Sequence, residues 1–189
     1  MTPVRPAPQV VLRELGPGDG PVLDAVFAGL SAASRLRRFH APMPSLSRAM
    51  REHLAAVDGH RHLAVAAFAV DAADPADPAD AAGAAGTPGE PVGIARLVRF
   101  ADGPAGRVEL AVEVVDAWQR RGVGTALVSA VLERGRAAGH HEVVAEVLAE
   151  NLAMRRLLFA LLPDPAGVGS GPEITVTSPL RAVPGHRAA

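Results

Sequence analysis

The segment AWQRRGVGTAL, residues 117–127, constrains the fold more than any other stretch of this chain. Before it, "GRVELAVEVV" alternates in the manner of a strand. After it, "GVGTALVSAVLERGRAAG" has apolar residues at helical spacing, with Gly139 at its C-terminal side. "HEVVAEVLA" then reads as a further strand. Strand, helix and strand in that order make a βαβ crossover, which sets two strands parallel in one sheet. The handover carries two glycines, Gly122 and Gly124, behind Arg120 and Arg121. Glycine disfavours a helix, so its place at a helix start needs a reason. The first turn of a helix has unpaired amides and the positive end of the dipole, and glycines there let an anion come close to the backbone.

The rest of the chain surrounds this unit. "PQVVLREL" reads as a first strand, and "GDGPVLDAVFAGL" as a helix behind Asp19 as cap. "SAASRLRRFHAPMP" is basic and runs into two prolines; "SLSRAMREHLAAVD" restarts a helix, capped by Ser45 or Ser47 and followed by Gly59. "RHLAVAAFAV" and "VGIARLVRF" are strands flanking residues 71–91, a low-complexity Ala/Asp/Pro/Gly loop insert that cannot build a core. "NLAMRRLLFALL" is a helix ended by Pro163, "DPAGVGSG" contains no convincing strand, and "EITVTS" is the last strand. The order β-α-α-β-β-β-α-β-α-β is α+β, with a mixed, mostly antiparallel sheet in one domain spanning residues 1–189.

Composition narrows the chemistry. The net charge of −1 creates no field that would recruit nucleic acid or an acidic membrane, and neither is expected as a partner. No run approaches the ~20 apolar residues of a membrane span, the N-terminus lacks a signal-peptide pattern, and a cytoplasmic location is expected. Cysteine is absent, which removes disulfides, thiolate metal sites and a cysteine nucleophile. Lysine is absent, so there is no Walker-type phosphate loop and no side-chain Schiff base. Tyrosine is absent too, so no phenol can act as a general acid. No histidine pair has the spacing, with a carboxylate, that suggests zinc, and no metal is expected.

Three readings compete for the glycine pair. It could be a tight turn into a helix and nothing more. It could be a dinucleotide-binding turn, but "DAWQRR" separates Val115 from Gly122, and Leu127 stands where a third glycine belongs. The third reading fits more residues. Gln119, Arg120, Arg121, Gly122, Val123 and Gly124 match Gln/Arg-x-x-Gly-x-Gly/Ala. This resembles the coenzyme A diphosphate loop of the GNAT N-acetyltransferase superfamily, and "VELAVEVVDAWQ" and "VLAENLAMRRLL", with Asn151, resemble the family's neighbouring segments.

The resemblance implies a GNAT fold, a splayed strand pair at the cofactor site, and acetyl-CoA as cofactor. It implies amides of Arg121, Gly122, Val123, Gly124 and Thr125 around the diphosphate, with charge from Arg120 and Arg121, either of which could instead be a solvated side chain. It implies that the strand carrying Val112, Val114 and Val115 pairs with the pantetheine amides, and that Asn151 bonds the pantetheine arm, caps a helix, or does both. Residues 30–67 resemble the start of Pat-type protein-lysine acetyltransferase domains, through Ser34, Arg38, Phe39, Leu46, Ser47, Val57, Asp58, His62 and Ala64. The acceptor expected is an amine, on a protein lysine or a small molecule; a monomer or homodimer is expected.

An amine of reference pKa near ~10.4 must lose a proton before it attacks. Glu109 and Glu113 share one face of their strand and are the candidate bases; the resemblance to histone-type members implies a base about at Glu109, with Glu113 the alternative, and a solvated or salt-bridged carboxylate is the plain reading of either. Many family members protonate the leaving thiolate with a tyrosine; Leu158 stands about there. That loss leaves open a non-catalytic acyl-CoA-binding domain of the same fold.

Overall fold

The computed structural model describes residues 10–70, 89–169 and 171–180. The elements run β1 (Val10–Glu14), α1 (Gly20–Ala28), α2 (Ala32–Phe39), α3 (Arg48–Ala55), β2 (His62–Ala69) and β3 (Pro91–Arg99). Then come β4 (Arg107–Val114), a 3-10 turn (Asp116–Trp118), α4 (Val123–Ala137), β5 (Glu142–Leu148), α5 (Leu152–Leu161), β6 (Ala166–Val168) and β7 (Glu173–Pro179). Most of the low-complexity insert lies outside the described residues; its last residue, Pro91, opens β3.

The seven strands form one sheet in the order β1-β2-β3-β4-β5-β7-β6. Every neighbouring pair is antiparallel except β4 and β5, the two joined by α4. Strand alternation distributes the core over both faces. Leu63, Val65 and Ala67 of β2 pack with Val123, Leu127, Val128 and Val131 of α4 and with Leu158 of α5. Ala64, Ala66 and Phe68 turn the other way and pack with Leu23 and Val26 of α1 and Leu54 of α3. Glu109, Ala111 and Glu113 share this second face, because Glu113 pairs with Ile94 of β3, a member of the same cluster.

Three local expectations are corrected. There is an additional helix, α2, whose Ser31 side chain accepts from the Ser34 N–H and caps it. Asp19 precedes α1 but does not cap it; its carboxylate accepts from the Gly16 N–H and from Arg13. "DPAGVGSG" does contain a strand: three exposed residues of β6 pair with β7, too short and too open to leave an apolar pattern. Ser47 is the cap of α3.

Candidate active site

The parallel pair opens into a fork. β4 and β5 are in register only at Arg107–Glu142, Val108–Val143 and Glu109–Val144; beyond these both strands continue without pairing. The closed end is pinned by an ion pair between Arg107 and Glu142, at 3.1 Å. Residues 110–114 are therefore bonded to β3 on one side and leave their other edge open. Glu109 stands at the last paired position. It is half-buried, lines the fork and, among the described residues, has no hydrogen-bond or ion-pair partner.

The fork, the start of α4, α2 and the start of α5 surround a cavity of about 910 Å³. α4 opens onto it without a side-chain cap. Its first bonded amide is that of Ala126, which donates to the Gly122 carbonyl at 3.0 Å, so the amides ahead of it are the orphan donors of a helix start. Gly122 has φ 86°, a left-handed conformation that disfavours other residues. Gly124 lines the cavity, and a Cβ there would make only ordinary contacts with Leu157 and Val114, so packing does not demand a glycine. What its missing side chain does is leave the helix mouth open. These donors fit a diphosphate.

Gln119 holds the loop from beneath. Its Nε2 donates to the Val114 carbonyl at 3.0 Å and to Ser34 Oγ at 3.1 Å, tying β4 and α2 to the glycine turn. Arg120 and Thr125 line the cavity. Arg121 is not among its lining residues; its guanidinium lies 5.2 Å from the centre of the Trp118 ring. Val112 and Val114 line the cavity, whereas Val115 packs in the other core cluster and donates its N–H to Val92. Val123 is buried in the core beneath the turn. Asn151 caps α5, accepting from the Met154 N–H at 3.2 Å, and lines the cavity with its Nδ2 unengaged among the described residues.

Glu113 and Glu109 share a face and differ in everything else. Glu113 is 5% exposed and accepts from Arg38 of α2 and, at 3.0 Å, from Arg96 of β3. Arg96 also donates to the Leu54 carbonyl at the end of α3, at 2.9 Å. Burial alone would push the Glu113 carboxyl up; the Arg38 and Arg96 guanidiniums outweigh it and hold the carboxyl below the usual carboxylate range. Burial draws the Arg96 guanidinium below its ordinary value, and Glu113 opposes that shift. The salt-bridged reading of Glu113 is the one observed.

Sequence reasoning missed Arg96, which looks like an ordinary strand residue. It also missed His40, Glu146 and Glu173, whose ligand atoms lie within 4.8 Å of one another on the cavity wall. His40 Nδ1 is paired with Glu173 at 3.0 Å. Leu158, at the position matched to the family's tyrosine, is buried in the core; the side chains that α5 turns toward the cavity include Met154 and Leu157.

Residues 47–159, more than half of the chain, match the family model described as the Acetyltransferase (GNAT) family. The chain belongs to the GNAT acetyltransferase family. Its fold is shared by the GNAT domain of S. lividans PAT, at 23% identity and a TM-score of 0.71, with 89% of each chain covered. It is shared by a GCN5-related N-acetyltransferase from Kribbella flavida, at 18% identity and a TM-score of 0.67, with 90% of this chain and 97% of that one covered. A cAMP-binding acyltransferase from Mycobacterium smegmatis matches at 24% identity and a TM-score of 0.56 over 95% of this chain, which spans 50% of that protein's length. No curated protein matches the chain in sequence. In this GNAT chain, no helix of the described residues is long and apolar enough to cross a membrane.

Proposed function

We propose that this chain is an acetyl-CoA-dependent N-acetyltransferase in which Glu109 is the general base. The observation that carries the proposal is the half-buried, unpartnered Glu109 at the point where β4 and β5 part, facing the cavity onto which the α4 amides open. When bound, acetyl-CoA supplies an acetyl group activated as a thioester. The orphan amides of Gly122, Val123, Gly124 and Thr125 take its diphosphate, with charge from Arg120 and with Gln119 holding the turn. The open edge of residues 110–114 pairs with the pantetheine amides as an added strand would, and Asn151 Nδ2 donates to the same arm.

Glu109 accepts a proton from the acceptor's ammonium, directly or through one water, so that a neutral amine attacks. Transfer is direct, within a ternary complex, since the sequence has no cysteine to carry an acyl intermediate. The preferred acceptor is a protein lysine, supported by the residues 30–67 cadence and by Glu146 and Glu173 on the cavity wall; a small amine is second. The location proposed is cytoplasmic.

A thiol-release assay with acetyl-CoA over lysine peptides and small amines tests the proposal. Amine-dependent release is expected. The second reading, a non-catalytic acyl-CoA-binding domain, is favoured by the apolar Met154 and Leu157 where α5 meets the cavity. It gives coenzyme A binding with no release for any amine.

A further inference from the structure

Within the reading above, the reacting carbon must lie along β4 between the α4 mouth, which takes the diphosphate, and Glu109, which takes the proton. Glu113 stands between these two on the strand and on the same face as Glu109. It cannot serve that interval as a base, because both its oxygens are occupied by guanidiniums. It does fix a cation there. Arg38 donates to Glu113 through Nε, and its side chain is 14% exposed. Its two terminal amino groups have no hydrogen-bond or ion-pair partner among the described residues, although the guanidinium carbon lies 4.8 Å from the centre of the Phe39 ring; they are not sealed from solvent and belong to a side chain that lines the cavity. Arg96, 1% exposed and bonded to both Glu113 and the Leu54 carbonyl, holds Glu113 in turn. Two guanidiniums against one carboxylate leave this buried group with a net positive charge.

The chemistry needs a cation in this interval. Once Glu109 has passed the ammonium's proton to solvent, the C–N bond forms and the C–S bond breaks; the electron pair leaves on sulfur, and Glu109 takes the second proton from the nitrogen of the adduct. No tyrosine, lysine or cysteine exists in the chain to meet that sulfur, and α5 turns Met154 and Leu157 toward the cavity. We infer that Arg38 is a catalytic residue that stabilises the departing thiolate of coenzyme A through its free terminal amino groups. Glu113 and Arg96 are positioning residues that hold it over β4. A guanidinium suits this role because it keeps its charge at any working pH and can bond Glu113 through one edge while presenting the other. A preorganised donor in a water-poor site is worth more than the same donor in water.

The inference rests on the acetyltransferase reading, and one experiment separates the two. The thiol of coenzyme A bound to the protein is titrated by the ultraviolet absorbance of its thiolate, with binding first established by calorimetry. In the wild-type protein the bound thiol is expected to titrate about one pH unit or more below its reference of ~8.5, a tenfold gain in thiolate below that pH. Arg38→Met should return it to ~8.5 or above, and Arg38→Lys should retain part of the shift. The ratio of wild-type to Arg38→Met affinity for coenzyme A should grow as pH rises through the bound thiol's titration, which a purely structural role would not produce; a ratio that does not change with pH overturns the inference. A wild-type bound thiol that titrates at ~8.5 overturns the inference whether or not any variant folds, as does an equal value in wild type and Arg38→Met. Failure to bind coenzyme A overturns this inference and the acetyltransferase reading together; binding with an unshifted thiol overturns this inference alone.

Discussion

Two glutamates four residues apart on one strand have opposite surroundings because of what the fold places above them. Glu113 meets Arg38 and Arg96 and is locked as a carboxylate. Glu109 meets the open fork and has no such partner among the described residues. Glu109→Gln is therefore expected to lower turnover by roughly 10²–10⁴-fold at neutral pH while leaving coenzyme A affinity unchanged, measured by thiol release and by calorimetry. Unchanged turnover would remove Glu109 from the mechanism. The shared face of the two acids was legible in the strand's alternation. Their different fates were not, because the partners come from distant parts of the chain: Arg38 is separated from Glu113 by 75 positions and Arg96 by 17. His40 and Glu173, separated by 133, were hidden for the same reason.

At the scale of elements, the α4 start is where sequence and structure agree most fully, since its signal is local. A strand pattern, two glycines and a helix pattern lie within one short stretch, and each has its counterpart in β4, the left-handed Gly122 and α4. Gly124→Glu is expected to abolish coenzyme A binding by placing a carboxylate at the helix mouth proposed to seat the diphosphate, with fold retained by circular dichroism. Gly124→Ala should bind more weakly than wild type and more tightly than Gly124→Glu, since its Cβ makes only ordinary contacts. Tight binding by Gly124→Glu would move the diphosphate elsewhere. Elements without a local signature were the ones misread. The Asp19 carboxylate looks like a cap by position, but turns to Arg13 and the Gly16 amide; β6 is defined by pairing with β7, which its three residues do not announce.

For the molecule as a whole, acid stability is expected to depend in part on one buried histidine, His62, which lies in register with Glu109 across β3. His62 is 5% exposed in β2, with Nε2 unpartnered among the described residues. Burial, then the charge of Arg96 and the neighbouring His53, lower it from 6.5 to about 4, with Asp58 opposing. The unfolded chain therefore binds a proton through the window from about 6.5 to about 4 that the folded chain does not, and stability rises with pH across it. At 1.36 kcal/mol per pH unit the full effect is about 3 kcal/mol, present above the unfolded value and lost as pH falls toward the folded one. Urea midpoints should fall over that window in the wild type, and the fall should be shallower in His62→Gln; equal slopes would contradict it. The α+β architecture was readable from the order of strands and helices, and the family from the resemblance carried by residues 119–124 and the segments beside them. The buried polar network that organises the site was not, because it joins α2, β3 and β4 through side chains that no spacing rule connects. In the proposed function, the unpaired amides at the start of α4 seat the diphosphate and direct the acyl end along β4 toward Glu109. In a crystal structure with coenzyme A, diphosphate oxygens are expected on the amides of residues 122–125 and the pantetheine arm along residues 110–114. A diphosphate bound elsewhere, with that helix mouth empty, would contradict it.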